Sequence, residues 1–153
     1  MQKAPSSKDY TFANLVELFK QGKFMEVLEI AQPMIDQNPN EINLINIFGA
    51  AAAITGQFLL AEDYLKRALE IDKTNPELNN NMGNVLLQQK KYHQSISHFK
   101  QAVEAQPGNC KFYSGLGIAL MLIDRINDAE KVLKTAVSLE PKNPENHSNM
   151  GAL

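Results

Sequence analysis

Apolar side chains fall along this chain in paired helical stripes. One stretch carries Leu78, Met82, Val85 and Leu86, and the next carries Tyr92, Ile96, Phe99 and Val103. Spacings of three and four residues place each set on one face of an α-helix. The polar run Gln88-Gln89-Lys90-Lys91 between them suits a short helix-to-helix turn. The pattern predicts a pair of antiparallel amphipathic helices.

The same design returns at a fixed offset. Asn75-Pro76-Glu77-Leu78-Asn79-Asn80-Asn81-Met82-Gly83 reappears as Asn143-Pro144-Glu145-Asn146-His147-Ser148-Asn149-Met150-Gly151, two periods of 34 later. Gly49, Gly83, Gly117 and Gly151 keep that spacing, with Leu15 at the equivalent place near the start. Phe24, Phe58, Tyr92 and Ile126 form a second ladder, and Val27, Ala61, Ser95 and Ala129 a third. Met34, Ala68, Ala102 and Ala136 continue it, and Pro39, Lys73, Pro107 and Pro141 close each repeat. Glycine on the first helix and a compact residue on the second predict closely approaching axes. Asn75-Pro76 and Asn143-Pro144 read as a capping residue followed by proline in the first turn. A period of this length predicts stacked helical hairpins.

These ladders resemble the tetratricopeptide repeat. The resemblance implies an all-α fold, a right-handed α-solenoid (superhelix) of stacked antiparallel helix pairs. It divides the chain into an amino-terminal extension 1–7, a divergent repeat 8–41, repeats 42–75, 76–109 and 110–143, and an incomplete fifth repeat 144–153. The tryptophan the family often carries four residues before the glycine is replaced by Ile45, Asn79, Tyr113 and His147. Pro33 lies inside the second helix of the first repeat, and its missing amide predicts a bend near Glu29–Pro33. Met150-Gly151-Ala152-Leu153 stops partway along a first helix, which suggests the amino-terminal array of a longer bacterial protein. Exposed repeat ends could pair weakly through Ile126, Leu133 and Met150, so the expected state is a monomer or a weak dimer.

Composition narrows the function. Fifteen Lys+Arg against seventeen Asp+Glu give a net charge of −2, so no basic field points to nucleic acid. Charge drifts only from about −3 in the first repeat to +1 in the fourth, too little to steer a partner strongly at physiological salt. No apolar run is long enough to span a membrane, and the opening residues lack a signal-peptide core. Together with the single cysteine, Cys110, this leads to a cytoplasmic expectation.

Catalytic chemistry is hard to find. His93 and His98 are five residues apart, so they do not share a helix face as metal ligands four apart would. Cys110 opens a first helix, yet no histidine adjoins it. Gly115-Leu116-Gly117 lacks the preceding strand and third glycine of a dinucleotide loop. No catalytic residue, metal site or cofactor is expected.

The resemblance implies that the first helices line a concave groove. Carried onto this sequence, the groove positions of the third repeat are Glu77, Asn80, Asn81, Asn84, Leu87 and Gln88. The second repeat gives Asn43 and Asn46 beside Ile47, Ala50, Ala53 and Ile54, and the fourth gives Lys111, Ser114, Gly115, Ile118, Met121 and Leu122. Asparagine and glutamine offer both a donor and an acceptor, so a row of them can pair with a peptide backbone. Asparagine is also a poor helix former, and the cluster 79–81 with Asn84 has no evident structural return. The candidate peptide-binding set is therefore Asn43, Asn46, Asn80, Asn81, Asn84, Gln88 and Lys111. Family members that grip acidic chaperone tails use two Lys, an Arg and two Asn. Here only Asn81 and Lys111 match, with Asn46, Ala50 and Gly115 elsewhere, which argues against that specialisation. The implied function is a non-catalytic scaffold binding an extended peptide or protein segment. The alternative is the acceptor-selecting region of a larger bacterial glycosyltransferase or sulfotransferase.

Overall fold

The computed structural model describes residues 10–153, so the extension 1–7 and the opening of the first repeat lie outside the described residues. The chain divides into two compact units, one ending at Ile71 and one spanning Asp72–Leu153. The first contains α1 (Phe12–Lys20), α2 (Phe24–Gln37), α3 (Ile42–Ile54) and α4 (Phe58–Ile71). The second contains α5 (Pro76–Gln88), α6 (Tyr92–Ala105), α7 (Cys110–Met121), α8 (Ile126–Leu139) and α9 (Pro144–Gly151). Helices α3, α5, α7 and α9 begin at 42, 76, 110 and 144, and α2, α4, α6 and α8 at 24, 58, 92 and 126. Both series step by 34 residues. The described residues are all-α, and none of their helices is long and apolar enough to cross a membrane.

Asparagine starts three of the first helices. Asn75, Asn109 and Asn143 accept hydrogen bonds from the amides of Leu78, Lys111 and Glu145 at 3.2, 3.2 and 3.0 Å. Each satisfies an amide that the helix start leaves without a partner. Helix α1 uses Thr11 instead. Its hydroxyl accepts from the Asn14 amide, while Asn14 Oδ1 accepts from the Thr11 amide at 2.8 Å.

The turn inside each pair is also periodic. Gly22, Gly56, Lys90 and Asp124, again 34 apart, have positive φ of 75°, 80°, 61° and 61°. At each, the next amide donates back across five residues: Lys23 to Leu18, Gln57 to Ala52, Lys91 to Leu86 and Arg125 to Leu120. This closes the helix end in a left-handed cap, a conformation that glycine adopts freely and other residues adopt at a cost.

The glycine ladder has a more specific role than close approach of two small residues. A Cβ added to Gly49 would lie 2.9 Å from Leu65, one on Gly83 2.8 Å from Phe99, and one on Gly117 2.5 Å from Leu133. The residue opposite the glycine is therefore large, and it fills the notch the glycine leaves. Leu65, Phe99 and Leu133 are all fully buried. In the first pair the equivalent positions hold Leu15 and Ala31, large and small exchanged, and both are also fully buried. Leu133 in this notch cannot form an exposed end surface, which removes it from the expected dimer contact; Ile126 is 39% exposed and Met150 half-buried. Helix α2 runs as one element through Pro33. The Glu29 carbonyl loses its helical donor there, on an exposed residue where water can replace it.

Candidate functional site

Asparagines on the first helices of the second unit fall into two groups, according to whether their amides are already occupied. Asn79 is fully buried, and its Nδ2 donates to the carbonyls of Lys73 and Asn75 at 2.9 and 3.0 Å. Its Oδ1 lies 2.9 Å from His98 Nδ1. With Nδ2 fixed as the donor, Oδ1 accepts, so the histidine proton sits on Nδ1. Burial holds the His98 pKa below its usual value. Asn79 thus has the structural return that sequence reasoning denied it. Asn146 is likewise buried: it accepts from Ser114 Oγ at 2.8 Å and donates to the Ala136 carbonyl at 3.0 Å.

Asn80 and Asn84 differ. One helical step turns Asn80 about 100° away from Asn79, and Asn84 lies one turn further along the same face. Asn80 is half-buried and Asn84 exposed, and neither side-chain amide has a hydrogen-bond partner among the described residues. Both border a concavity of about 220 Å³ between α5, α7 and the start of α9. Lys111, Ser114, Gly115 and Ile118 supply its α7 wall, and Asn143, Glu145 and Asn146 its α9 wall. Ser114 and Asn146 hold each other, and Asn143 caps α9, so those groups build the wall. Asn80, Asn84, Lys111, Glu145 and Ile118 complete the lining of the concavity. Gly115 keeps the space open under constraint, because a Cβ there would lie 2.5 Å from the Phe99 ring.

Three of the seven candidates, Asn80, Asn84 and Lys111, are brought together. Asn81 and Gln88 also lie on α5 but do not line this concavity. Asn81 and Asn46 are engaged within the protein, and the Asn43 amide donates to Glu41 at 3.3 Å. Asn43 and Asn46 belong to α3 of the first unit. Sequence reasoning missed Asn143, Glu145 and Asn146, although the period alone relates Glu145 to Lys111.

The site carries hydrogen-bonding groups, one cation, one anion and an apolar contact. Cys110 does not add a nucleophile: it is buried, and burial followed by its hydrogen bond with Glu140 raises the thiol pKa. Glu140 is held below the usual carboxylate range by hydrogen bonds from Asn143 and then Cys110.

Two family models described as tetratricopeptide repeat match this chain, over residues 86–153 and 64–97. With its period, helix pairs and notch packing, the chain is a tetratricopeptide repeat protein. No curated protein matches it. Among solved structures it is similar to MamA (residues 41 to the end) from Desulfovibrio magneticus RS-1, with a TM-score of 0.80 and 21% identity over 92% of this chain and 80% of that one. Another crystal structure of MamA gives a TM-score of 0.78 and 16% identity, covering 89% and 80%. The first repeat domain of Spaghetti (RPAP3), bound to the HSP90 peptide SRMEEVD, gives 0.70 and 23%, covering 73% and 89%. At these identities the likeness is one of fold.

Proposed function

We propose that this chain is a non-catalytic protein-interaction module that holds an extended peptide against the first helices of its second unit. The observation that carries the reading is the pair of unoccupied amides on Asn80 and Asn84. Residues four apart on a helix are separated by about 6 Å along its axis and share one face. The two amides on α5 can therefore both reach backbone groups of a peptide that passes over this helix. The concavity beside them, about 220 Å³, is smaller than the roughly 300–1,000 Å³ of small-molecule sites and suits a side chain. The RPAP3 domain, solved with a peptide bound, is an instance of this fold holding one. The contacts narrow to Asn80, Asn84 and Lys111, because Asn43, Asn46 and Asn81 already have partners. Packing also supports the case against an acidic chaperone tail: any cation at position 115 would drive its Cβ into Phe99.

The test is the double substitution Asn80→Ala with Asn84→Ala, titrated against a partner recovered by pull-down and identified by mass spectrometry. Loss of two hydrogen bonds, each worth about 1 kcal/mol net, is expected to weaken binding roughly 30-fold. The melting temperature should hold or rise, since alanine is the better helix former. Unchanged affinity would reject this site.

A further inference from the structure

Helices α5, α7 and α9 each place a charged residue at the second position, and the signs alternate: Glu77, Lys111, Glu145. All three are exposed, and none forms an ion pair among the described residues. Glu77 and Glu145 have an ordinary structural explanation, since an acid in the first turn favours the positive end of the helix dipole. Lys111 has the opposite effect. It puts a cation where the dipole is already positive, with the Glu140 carboxylate felt only through space. A broken local rule on an exposed side chain that also lines the concavity suggests a role outside the fold.

Spacing then specifies what could meet this row. Helix α7 packs directly beside both α5 and α9, and packed helices lie about 8–10 Å apart. A peptide crossing them in the polyproline II conformation rises about 3.1 Å per residue with three residues per turn, so every third side chain returns to one face after about 9.3 Å. We infer that the second unit selects an internal peptide segment in this conformation, carrying basic, acidic and basic side chains at positions n, n+3 and n+6 against Glu77, Lys111 and Glu145. This rests on the peptide-binding reading above and adds the partner's charge register and its direction across the helices. The segment is internal because the match requires three side chains and no chain end.

The experiment compares two labelled peptides, acetylated and amidated so that neither end is charged, by fluorescence anisotropy. One has the core Lys-Pro-Pro-Glu-Pro-Pro-Lys and the other Glu-Pro-Pro-Lys-Pro-Pro-Glu. The first should bind about tenfold more tightly at low salt, and the gap should close at high salt, as exposed pairs are individually weak and screened. In the variant Glu77→Lys, Lys111→Glu, Glu145→Lys, with helix content checked by circular dichroism, the preference should reverse. Equal binding, a preference that survives the exchange, or no binding of either peptide overturns the charge register. Asn80→Ala with Asn84→Ala separates the two readings. If both peptides bind equally and both weaken in that variant, the peptide site stands and the register falls.

Discussion

The first helix pair and the later ones solve one packing problem in opposite ways. In α3/α4, α5/α6 and α7/α8 the first helix carries glycine and the second a Leu or Phe that fills the notch. In α1/α2 the first helix carries Leu15 and the second Ala31, and both are as deeply buried as their counterparts. The first pair is closed further by Phe19 standing edge-on to Phe24, ring centroids 5.1 Å apart. Cores tolerate exchange of position when total volume is kept. The first repeat is therefore the complement of the others at this contact, and its lack of glycine is no loss of it.

Exchanging sizes in a later pair tests this most severely. Gly117→Leu alone should cost about 3 kcal/mol or more by overpacking against Leu133, and Leu133→Ala alone about 2–5 kcal/mol by leaving a cavity. The double variant rebuilds the Leu15/Ala31 arrangement, so urea unfolding should show it well above the sum of the two losses. Simple additivity would mean that the pairs are not interchangeable.

A smaller effect concerns the turns, where the first unit has glycine and the second does not. Lys90 and Asp124 occupy a left-handed conformation that costs a side-chain-bearing residue about 1 kcal/mol. Lys90→Gly and Asp124→Gly should each raise stability by up to about 1 kcal/mol, while Gly22→Ala and Gly56→Ala should lower it. A fall in melting temperature for both glycine variants would refute this account of the turns.

The smallest effect is with pH. All three histidines lie in the second unit, and half-buried His98 has a pKa lowered by its partial burial. In the unfolded chain it protonates near its usual value of about 6.5, before it does so in the fold. Between the two pKa values the unfolded state binds more protons, so stability falls as pH drops below about 6.5. His98→Gln should flatten that slope in thermal melts from pH 7.5 to 5.5, and an unchanged slope would place its origin elsewhere.

Much of this was legible in the chain because a fixed period fixes neighbours. The helix starts and the asparagine caps at 75 and 143 follow from local pattern alone. The notch partners were harder, because Gly83 and Phe99 are 16 residues apart on different helices and neither ladder names the other. The turn at Gln88–Lys91 was legible, but its left-handed residue was not, since a lysine such as Lys90 does not advertise positive φ. Asn79 and Asn80 show the limit at the site. They are adjacent and identical in type, and only their angle on α5 decides which fastens the fold and which borders the concavity with its amide unoccupied. Asn79's partner, His98, lies too far along the chain for pattern to reveal.

The Phe99 ring touches two glycines at once, Gly83 on α5 and Gly115 on α7. One benzyl group thus rivets a hairpin to its successor. Amide protons of α5, α6 and α7 should exchange with deuterium as a single block, one that includes the wall carrying Asn80, Asn84 and Lys111.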